Sequence, residues 1–349
     1  MAKSDRFLKA CKMERPDCTP VWLMRQAGRY MEEYRSMRER HSFVEMCKTP
    51  ELAAEVTLQP VLRFDLDAAI IFSDILLPLE KMGVELHFDE ATGPVVERPV
   101  RSARDVEALR PVDPAADLPY LPHAIRTAVS ALSGRVPLIG FAGAPFTLAA
   151  YLIEGGTSKH YQTTKAFMYA DGDAFRLLME KLTDLSAACL AAQIEAGVRA
   201  VQVFDSWVGT LSAADYERYV MDHMVRLFES LDGSVPAIHF GVDTCHLLNL
   251  MSRAGGDVIG VDWRLPLDEA WETIGRDRAI QGNLDPAALL GPDAFIEERA
   301  ADIIRRAGGR GGHVFNLGHG VLPETPVEKV DILVRAVHEC APEVPGEDL

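Results

Sequence analysis

The chain has 349 residues, with 36 Lys and Arg against 52 Asp and Glu, so its formal net charge is −16. This acidic balance argues against a nucleic-acid-binding protein, which favours a basic face, and makes any anion site a local feature. No apolar run reaches the roughly 18 residues of a membrane helix, and the opening MAKSDRFLKACKMERPD lacks the apolar core of a secretory signal. Six cysteines without a C-x-x-C pair predict a reduced, cytoplasmic protein.

Short apolar runs alternate along the chain with segments of helical periodicity. The runs lie at 20–24, 67–72, 136–141, 199–204, 236–240, 257–261, 278–281 and 313–317. Apolar residues recur three and four apart in 173–196 and 213–231, as in amphipathic helices, and Ser212 or Asp215 is a candidate start for the second of these helices.

This alternation predicts an α/β protein with a parallel sheet covered by helices on both faces. Eight units favour a single (β/α)₈ barrel of the TIM type over residues 1–349, with a short N-terminal extension at about 1–18 and a flexible tail at about 341–349. An open doubly wound sheet is the alternative, but no G-x-G-x-x-G follows the first run.

A barrel of this kind places its catalytic residues where strands end and the following loops begin. Polar or glycine residues follow each of the eight runs. The candidates among them are Arg25 and Arg29, then Asp74, Tyr151, Ser206 and His319. We therefore expect these side chains to share one end of the barrel.

The stretch RQAGRY carries Arg25 and Arg29 four positions apart, with Gly28 between them. Guanidinium groups pair bidentately with carboxylates, and a glycine lets the backbone approach a ligand closely. The alternative is a pair of helix-surface arginines in salt bridges.

The other candidates also have structural alternatives. Asp74 ends a very apolar run, so it either accepts hydrogen bonds and stabilises a cation or caps the next helix. Tyr151 and Ser206 either bind a ligand or serve packing and turns. His319 lies between glycines at a strand end, which favours a functional role. No Ser-His-Asp arrangement for nucleophilic catalysis is evident. No metal-binding spacing such as H-E-x-x-H occurs either, so we expect no metal site.

Two extended motifs, PVWLMRQAGRYMEEYR and GFAGAPFTLAAYLIEGG, make the chain recognisable, together with FDSWVG, IHFGVDT, QGNLDP and FNLGHGV. Over about residues 4–340 the chain closely resembles the uroporphyrinogen decarboxylase family. The resemblance implies a (β/α)₈ barrel, usually a homodimer, that removes CO₂ from the four acetate arms of uroporphyrinogen III to give coproporphyrinogen III in haem biosynthesis. It also implies that no metal or organic cofactor takes part.

The resemblance also assigns site positions. The family's substrate-binding stretch falls on Arg25, Gln26, Ala27, Gly28 and Arg29, and its central carboxylate on Asp74. Its tyrosine, its small hydroxyl residue and its histidine fall on Tyr151, Ser206 and His319. Asp74 would accept pyrrole N–H bonds and stabilise a cationic intermediate, and Arg25 or Arg29 would hold the departing carboxylate or relay a proton. Trp207 receives no role.

Two rival functions are considered. A corrinoid-linked zinc methyltransferase shares the barrel, but the H-x-C element of that group reads His239-Phe240-Gly241 in this chain. The second is a tetrapyrrole-binding protein without activity. Such a protein would need the arginines to bind carboxylates, but it would not need a carboxylate positioned to stabilise a cation.

Overall fold

The structure is a computed structural model that describes residues 5–89 and 93–340. The predicted tail at 341–349 lies outside the described residues. The strands are β1 Ala69–Ile70, β2 Leu86–Asp89, β3 Gly93–Val96, β4 Leu138–Gly143, β5 Ala200–Asp205, β6 Ala237–Gly241, β7 Val258–Gly260, β8 Ala279–Gln281 and β9 His313–Val314. Strands β1 and β4–β9 form a seven-stranded parallel sheet in the order β1-β4-β5-β6-β7-β8-β9. Seven of the eight apolar runs therefore become strands of one curled sheet.

Helices precede the first strand and alternate with the later ones, and most of them cover the outside of this sheet. They are α1 Arg6–Cys11, α2 Glu32–Arg40, α3 Phe43–Lys48, α4 Pro50–Arg63, α5 Ala103–Ala108, α6 Pro114–Asp117, α7 Tyr120–Leu132, α8 Pro145–Glu154, α9 Gln162–Ala170, α10 Gly172–Ala196, α11 Ala213–Tyr219, α12 Met221–Glu229, α13 Leu248–Ala254, α14 Leu267–Ile274, α15 Asp293–Ala307 and α16 Val327–Glu339. Within the described ranges no helix combines the length and apolar character needed to cross a bilayer.

The run 20–24 departs from the prediction. It forms no ladder strand: Val21 makes one isolated parallel bridge to Phe315, and its carbonyl accepts the Asp67 N–H at 2.8 Å. The Val21 N–H donates to the side chain of Asp67, also at 2.8 Å, in place of a backbone carbonyl. The α/β barrel class is confirmed. The sheet does not close with eight full strands, because Val21 alone links the segment of β9 to the segment of β1.

Two local predictions are refined. The helix predicted at 173–196 is α10, which starts after Asp171, whose side chain accepts the Ala174 N–H at 3.0 Å. The helix predicted at 213–231 is divided at Val220 into α11 and α12, and Ser212 caps the first of them. The antiparallel hairpin of β2 and β3 was not predicted from the sequence.

The core has two layers, one outside and one inside the curled sheet. The outer layer packs the sheet against the helices. Inside the sheet, Trp22, Ile139, Ile238 and Val314 pack with the small residues of neighbouring strands. Helix α1 lies across the base, with Phe7 fully buried against this interior. The described part of the predicted N-terminal extension thus fills one end, which leaves the opposite end for the site.

Candidate active site

The predicted site residues lie where the strands end, on one rim of the sheet, because all of its strands are parallel. Under this rim three phenylalanines form a row: the ring centroid of Phe204 lies 5.5 Å from that of Phe141 and 6.0 Å from that of Phe240. Phe141 and Phe204 are only half-buried. We call the space above these three rings, at the carboxyl ends of the strands, the cleft. Its floor is apolar and its rim is polar.

The segment 25–30 forms a turn above this floor. Arg25 has a left-handed backbone with φ 58°, and its side chain is exposed, as is that of Arg29. The side chain of Gln26 instead points inward and is fully buried. Its Oε1 accepts the Leu23 N–H at 3.1 Å, and its Nε2 donates to the Ala68 carbonyl at 3.2 Å. Gln26 thus ties the turn to the strand that precedes Asp74.

The rest of the turn is fixed by its neighbours. The hydroxyl of Tyr30 donates to the Gln26 carbonyl at 2.6 Å. Arg35 on α2 donates to the carbonyls of Arg29 and Tyr30 at 2.9 and 2.8 Å, so its side chain holds the end of the turn. A Cβ at Gly28 would lie 3.1 Å from the Arg25 carbonyl, which explains the glycine. Ala27 is partly buried beside it.

Asp74 follows β1 and is partly buried. Its Oδ1 accepts the Leu76 N–H at 2.8 Å in a local turn, but the 3-10 helix at Leu77–Met82 has Leu76 as its N-cap and no side-chain capping bond, so the capping alternative is wrong. Burial raises the pKa of Asp74 to about 6, although the Leu76 hydrogen bond and the positive charge of Arg25 both act to lower it. Asp74 is therefore an ionised but poorly solvated carboxylate at neutral pH, a state suited to pairing with a cation.

Tyr151 lies on α8 and packs against Trp207, with ring centroids 5.9 Å apart. Tyr161 approaches the same indole at 5.5 Å. Burial, with the negative charge of Asp74 second, raises the pKa of Tyr151 to about 12, so its hydroxyl stays protonated as a donor. Trp207 was given no role from the sequence, yet it links the two tyrosines. Its position directly after Ser206 at a strand end was the available signal.

Ser206 is partly buried in the turn that follows β5. The residue before it, Asp205, is fully buried, and its Oδ1 accepts a hydrogen bond from the Thr147 hydroxyl at 3.2 Å. Asp205 therefore faces the helix layer.

His319 follows β9 and is partly buried. Its Nδ1 accepts the Gly320 N–H at 2.7 Å, which places the proton of the neutral ring on Nε2. Burial, with the positive charge of Arg25 second, lowers the pKa of His319 to about 4. The ring is therefore a neutral hydrogen-bond donor at neutral pH.

Arg25 connects the predicted residues. Its positive charge acts on the pKa of Asp74, of Tyr151 and of His319, and its side chain lies where a Cβ on Gly320 would be. These four residues follow the first and last parts of the sheet, and the action of one charge on the other three brings them together at the same end of it. Arg29 lies farther out, where its charge acts on Tyr34 of α2.

A third arginine on this rim was not singled out from the sequence. Arg264 follows β7, stacks over Trp263 at 4.5 Å and contacts Asp262 at 2.6 Å and Asp243 at 3.4 Å. Its charge also acts on the pKa of His319. The charge of Arg264 is matched by two carboxylates, which distinguishes it from Arg25 and Arg29.

His239, in the segment where a zinc-dependent relative would read H-x-C, is fully buried away from the cleft against Phe228. Among residues 5–89 and 93–340 no group of three His, Cys, Asp or Glu side chains is placed to hold a metal ion.

Comparisons with known proteins show the family to which the chain belongs. The family model for uroporphyrinogen decarboxylase (URO-D) matches residues 2–340. The chain is 55% identical to the uroporphyrinogen decarboxylase of Carboxydothermus hydrogenoformans over 97% of each chain, and 53% identical to that of Sorangium cellulosum over 96% of each.

Among solved structures, a methyltransferase from Methanosarcina mazei superposes with a TM-score of 0.79 at 21% identity, over 96% of this chain and 98% of that one. A B12-independent methionine synthase from Shewanella superposes with a TM-score of 0.57 at 11% identity, over 83% of this chain and 86% of that one. At such identities these two superpositions identify the barrel fold alone. The match to the family model over nearly the whole chain, and relatives sharing half of its residues, establish that the chain belongs to the uroporphyrinogen decarboxylase family of carboxy-lyases.

Proposed function

We propose that this decarboxylase binds uroporphyrinogen III in the cleft between Arg25, Asp74, Tyr151 and His319 and converts its four acetate arms to methyl groups, giving coproporphyrinogen III. The observation that carries the proposal is Asp74, a poorly solvated carboxylate on the rim of an apolar floor, with the charge of Arg25 acting on it. A porphyrinogen offers pyrrole N–H groups at its centre and carboxylates at its edge, which match a central carboxylate and peripheral arginines.

The arginines supply recognition of the carboxylate arms. The protein is acidic overall, so Arg25 and Arg29 on an exposed turn form a local cationic pole. A planar guanidinium pairs bidentately with a carboxylate. Gln26, Ala27 and Gly28 contribute by setting the shape of the turn that presents both arginines.

The reaction needs a place for the electrons of the breaking C–C bond. Protonation of the ring carbon between the pyrrole nitrogen and the carbon that bears the acetate arm gives a cationic, iminium-like ring, and the bond to the carboxylate then breaks with its electrons moving into that ring. CO₂ leaves and an exocyclic methylene remains. A proton adds to the methylene to form the methyl group, and loss of the first ring proton restores the pyrrole, so one proton is consumed per arm. Asp74 stabilises the cationic ring electrostatically.

The remaining residues orient the arms. Tyr151 keeps its hydroxyl proton, and His319 carries its proton on Nε2, so both act as neutral donors to carboxylates. Ser206 adds a hydroxyl from the turn after β5. Arg25, whose charge acts on both Asp74 and His319, holds the departing carboxylate or relays the proton that the ring takes up.

The proposal includes a homodimer in the cytoplasm, working without metal or organic cofactor. The homodimer rests on the family resemblance, and sedimentation of the purified protein tests it. The thiols of Cys11, Cys18, Cys47, Cys189 and Cys245 are unpaired, which supports a reducing compartment.

The test is an anaerobic incubation of metal-stripped protein with freshly reduced uroporphyrinogen III in the dark, followed by separation of products by carboxylate number. We expect progression from eight to four carboxylates. Arg29→Gln is expected to raise KM about tenfold, since a charged hydrogen bond contributes roughly 1.5–3 kcal/mol. Arg40→Gln, an exposed arginine at the end of α2, is the matched control with unchanged kinetics. Unchanged substrate with folded wild-type protein would contradict the proposal.

A further inference from the structure

The turn after β5 is held from behind by one buried hydroxyl, that of Thr147 on α8. The Trp207 N–H donates to Thr147 Oγ1 at 3.3 Å, and the hydroxyl donates to Asp205 Oδ1 at 3.2 Å. Thr147 and Asp205 are both fully buried. In such a dry environment each bond is costly to lose, because no water replaces the missing partner.

The same helix also holds the far side of Trp207. Tyr151 lies four residues after Thr147, so both side chains project from one face of α8. Tyr151 packs on the Trp207 ring at 5.9 Å, while Thr147 binds the Trp207 backbone. Ser206 lies between the two residues that Thr147 binds, so the position of its hydroxyl depends on the same hydrogen bonds.

Asp205 has few other partners. Its Oδ2 lies 3.8 Å from His239 Nε2, beyond hydrogen-bond length, and neither atom has a hydrogen-bond partner among the described residues. The orientation of the Asp205 carboxylate therefore depends on the Thr147 hydroxyl at Oδ1. His239 confines this carboxylate by contact from the other side.

We propose that Thr147 is a positioning residue that sets the distance between the Ser206–Trp207 turn and Tyr151, and so the affinity of the cleft for a carboxylate arm of the substrate. Its kinetic consequence rests on the function proposed above. Its structural consequence, order in the turn, does not.

The test compares three variants by steady-state kinetics with uroporphyrinogen III and by hydrogen exchange of the 200–210 peptide. Thr147→Val keeps the shape and removes both hydrogen bonds. We expect KM to rise about tenfold with kcat within about threefold, in line with the cost of a small misplacement of binding groups, and faster exchange of the Trp207 amide. Thr147→Ser retains the hydroxyl and is expected to restore both readouts.

Thr183→Val is the matched control. The Thr183 hydroxyl is buried and donates to the Met179 carbonyl at 2.7 Å within α10, away from the turn. The Thr183→Val variant is expected to leave KM and the exchange of the 200–210 peptide unchanged. If Thr147→Val does not fold, Thr147→Ala removes the same bonds with less steric demand and is measured in the same way.

The proposal is overturned if the valine or alanine variant keeps wild-type KM and amide exchange, or if the serine variant fails to restore them. Wild-type protein that does not decarboxylate uroporphyrinogen would instead refute the proposed function. Amide exchange alone would then decide whether Thr147 positions the turn.

Discussion

Burial moves the pKa values of two titratable groups of the cleft, Asp74 and His319, in opposite directions. It raises the pKa of Asp74 to about 6 and lowers that of His319 to about 4. In both cases the neutral form is favoured, because transfer from water penalises charge. At neutral pH the cleft then holds one carboxylate that is still ionised and one imidazole that is uncharged. That combination accepts N–H bonds at Asp74 and donates to a carboxylate at His319.

Replacing Asp74 tests the role of its charge. We expect Asp74→Asn to lower kcat by about 10²–10³, the effect of removing one electrostatic contact to the transition state. In the wild type, kcat/KM should rise with pH through about 6 as Asp74 ionises. The assay is product separation by carboxylate number from pH 5 to 8. Near-normal turnover in the variant would exclude the cation-stabilising role.

Asp74→Asn is expected to lower activity but to raise thermal stability. The folded pKa of Asp74 lies above its ordinary value of 3.8, so ionisation costs more in the folded chain than in the unfolded one. This cost is absent below pH 4 and complete above about pH 6. Asp74→Asn should therefore unfold at a higher temperature than wild type at pH 8 and at the same temperature near pH 4. Asp113→Asn is the control. Asp113 also accepts the N–H of the residue two positions later, Ala115, but its side chain is exposed, so its ionisation carries no burial cost.

At the scale of elements, the strands separate near the cleft and helix side chains replace the missing ladder partners. Strand β1 ends at Ile70, so the Phe141 N–H and carbonyl of β4 bind Gln193 of α10 instead, at 2.9 and 2.8 Å. In the same way the Phe72 N–H donates to Thr57 of α4 at 2.9 Å. These polar side chains keep the backbone satisfied where β1 and β4 separate.

Gln193→Leu is expected to destabilise the protein by about 2–4 kcal/mol, because it leaves one buried N–H and one buried carbonyl of Phe141 without partners. Urea unfolding measures the change. Gln162→Leu, at an exposed position that starts α9, is the control and should change stability by less than about 0.5 kcal/mol. Equal stability of the two variants would mean that the Phe141 backbone finds other partners.

At the scale of the whole molecule, the buried carboxylate of Asp67 contacts both terminal helices at the seam of the sheet, the contact between the run 20–24 and β1. Asp67 is fully buried and accepts the Val21 N–H at 2.8 Å. It also contacts His338 of α16 at 2.7 Å and Arg6 of α1 at 3.4 Å. The seam between the first run and β1 is therefore closed by a side chain that both terminal helices contact.

Asp67→Ala is expected to cost about 3–5 kcal/mol of stability, because it leaves buried donors without their acceptor. KM should stay near the wild-type value, since the seam lies at the end of the strands opposite the cleft. Asp65→Ala removes a carboxylate that also contacts His338 but is 70% exposed, and we expect less than about 1 kcal/mol. Denaturant unfolding and kinetics on the same samples separate the two effects. A loss of affinity without a loss of stability would contradict this account of the seam.

The sequence alone determined the positions of the seven strands of the parallel sheet, the barrel class and the long helix α10, because apolar runs and helical periodicity depend only on neighbours along the chain. It also indicated the rim, since a polar residue directly after an apolar run must lie where a strand ends. The roles of Arg25, Asp74, Tyr151, Ser206 and His319 stay predictions until the variants are measured.

Only the tertiary structure decided which partners each residue meets. The run 20–24 is as apolar as the others, yet it forms a single bridge because its neighbour across the seam is the side chain of Asp67. Gln26 turns inward and Trp207 joins Tyr151 because of contacts from segments far along the chain. Hydrogen-bond pairing and pKa depend on atoms brought together by folding, and a periodic pattern in sequence carries no information about them.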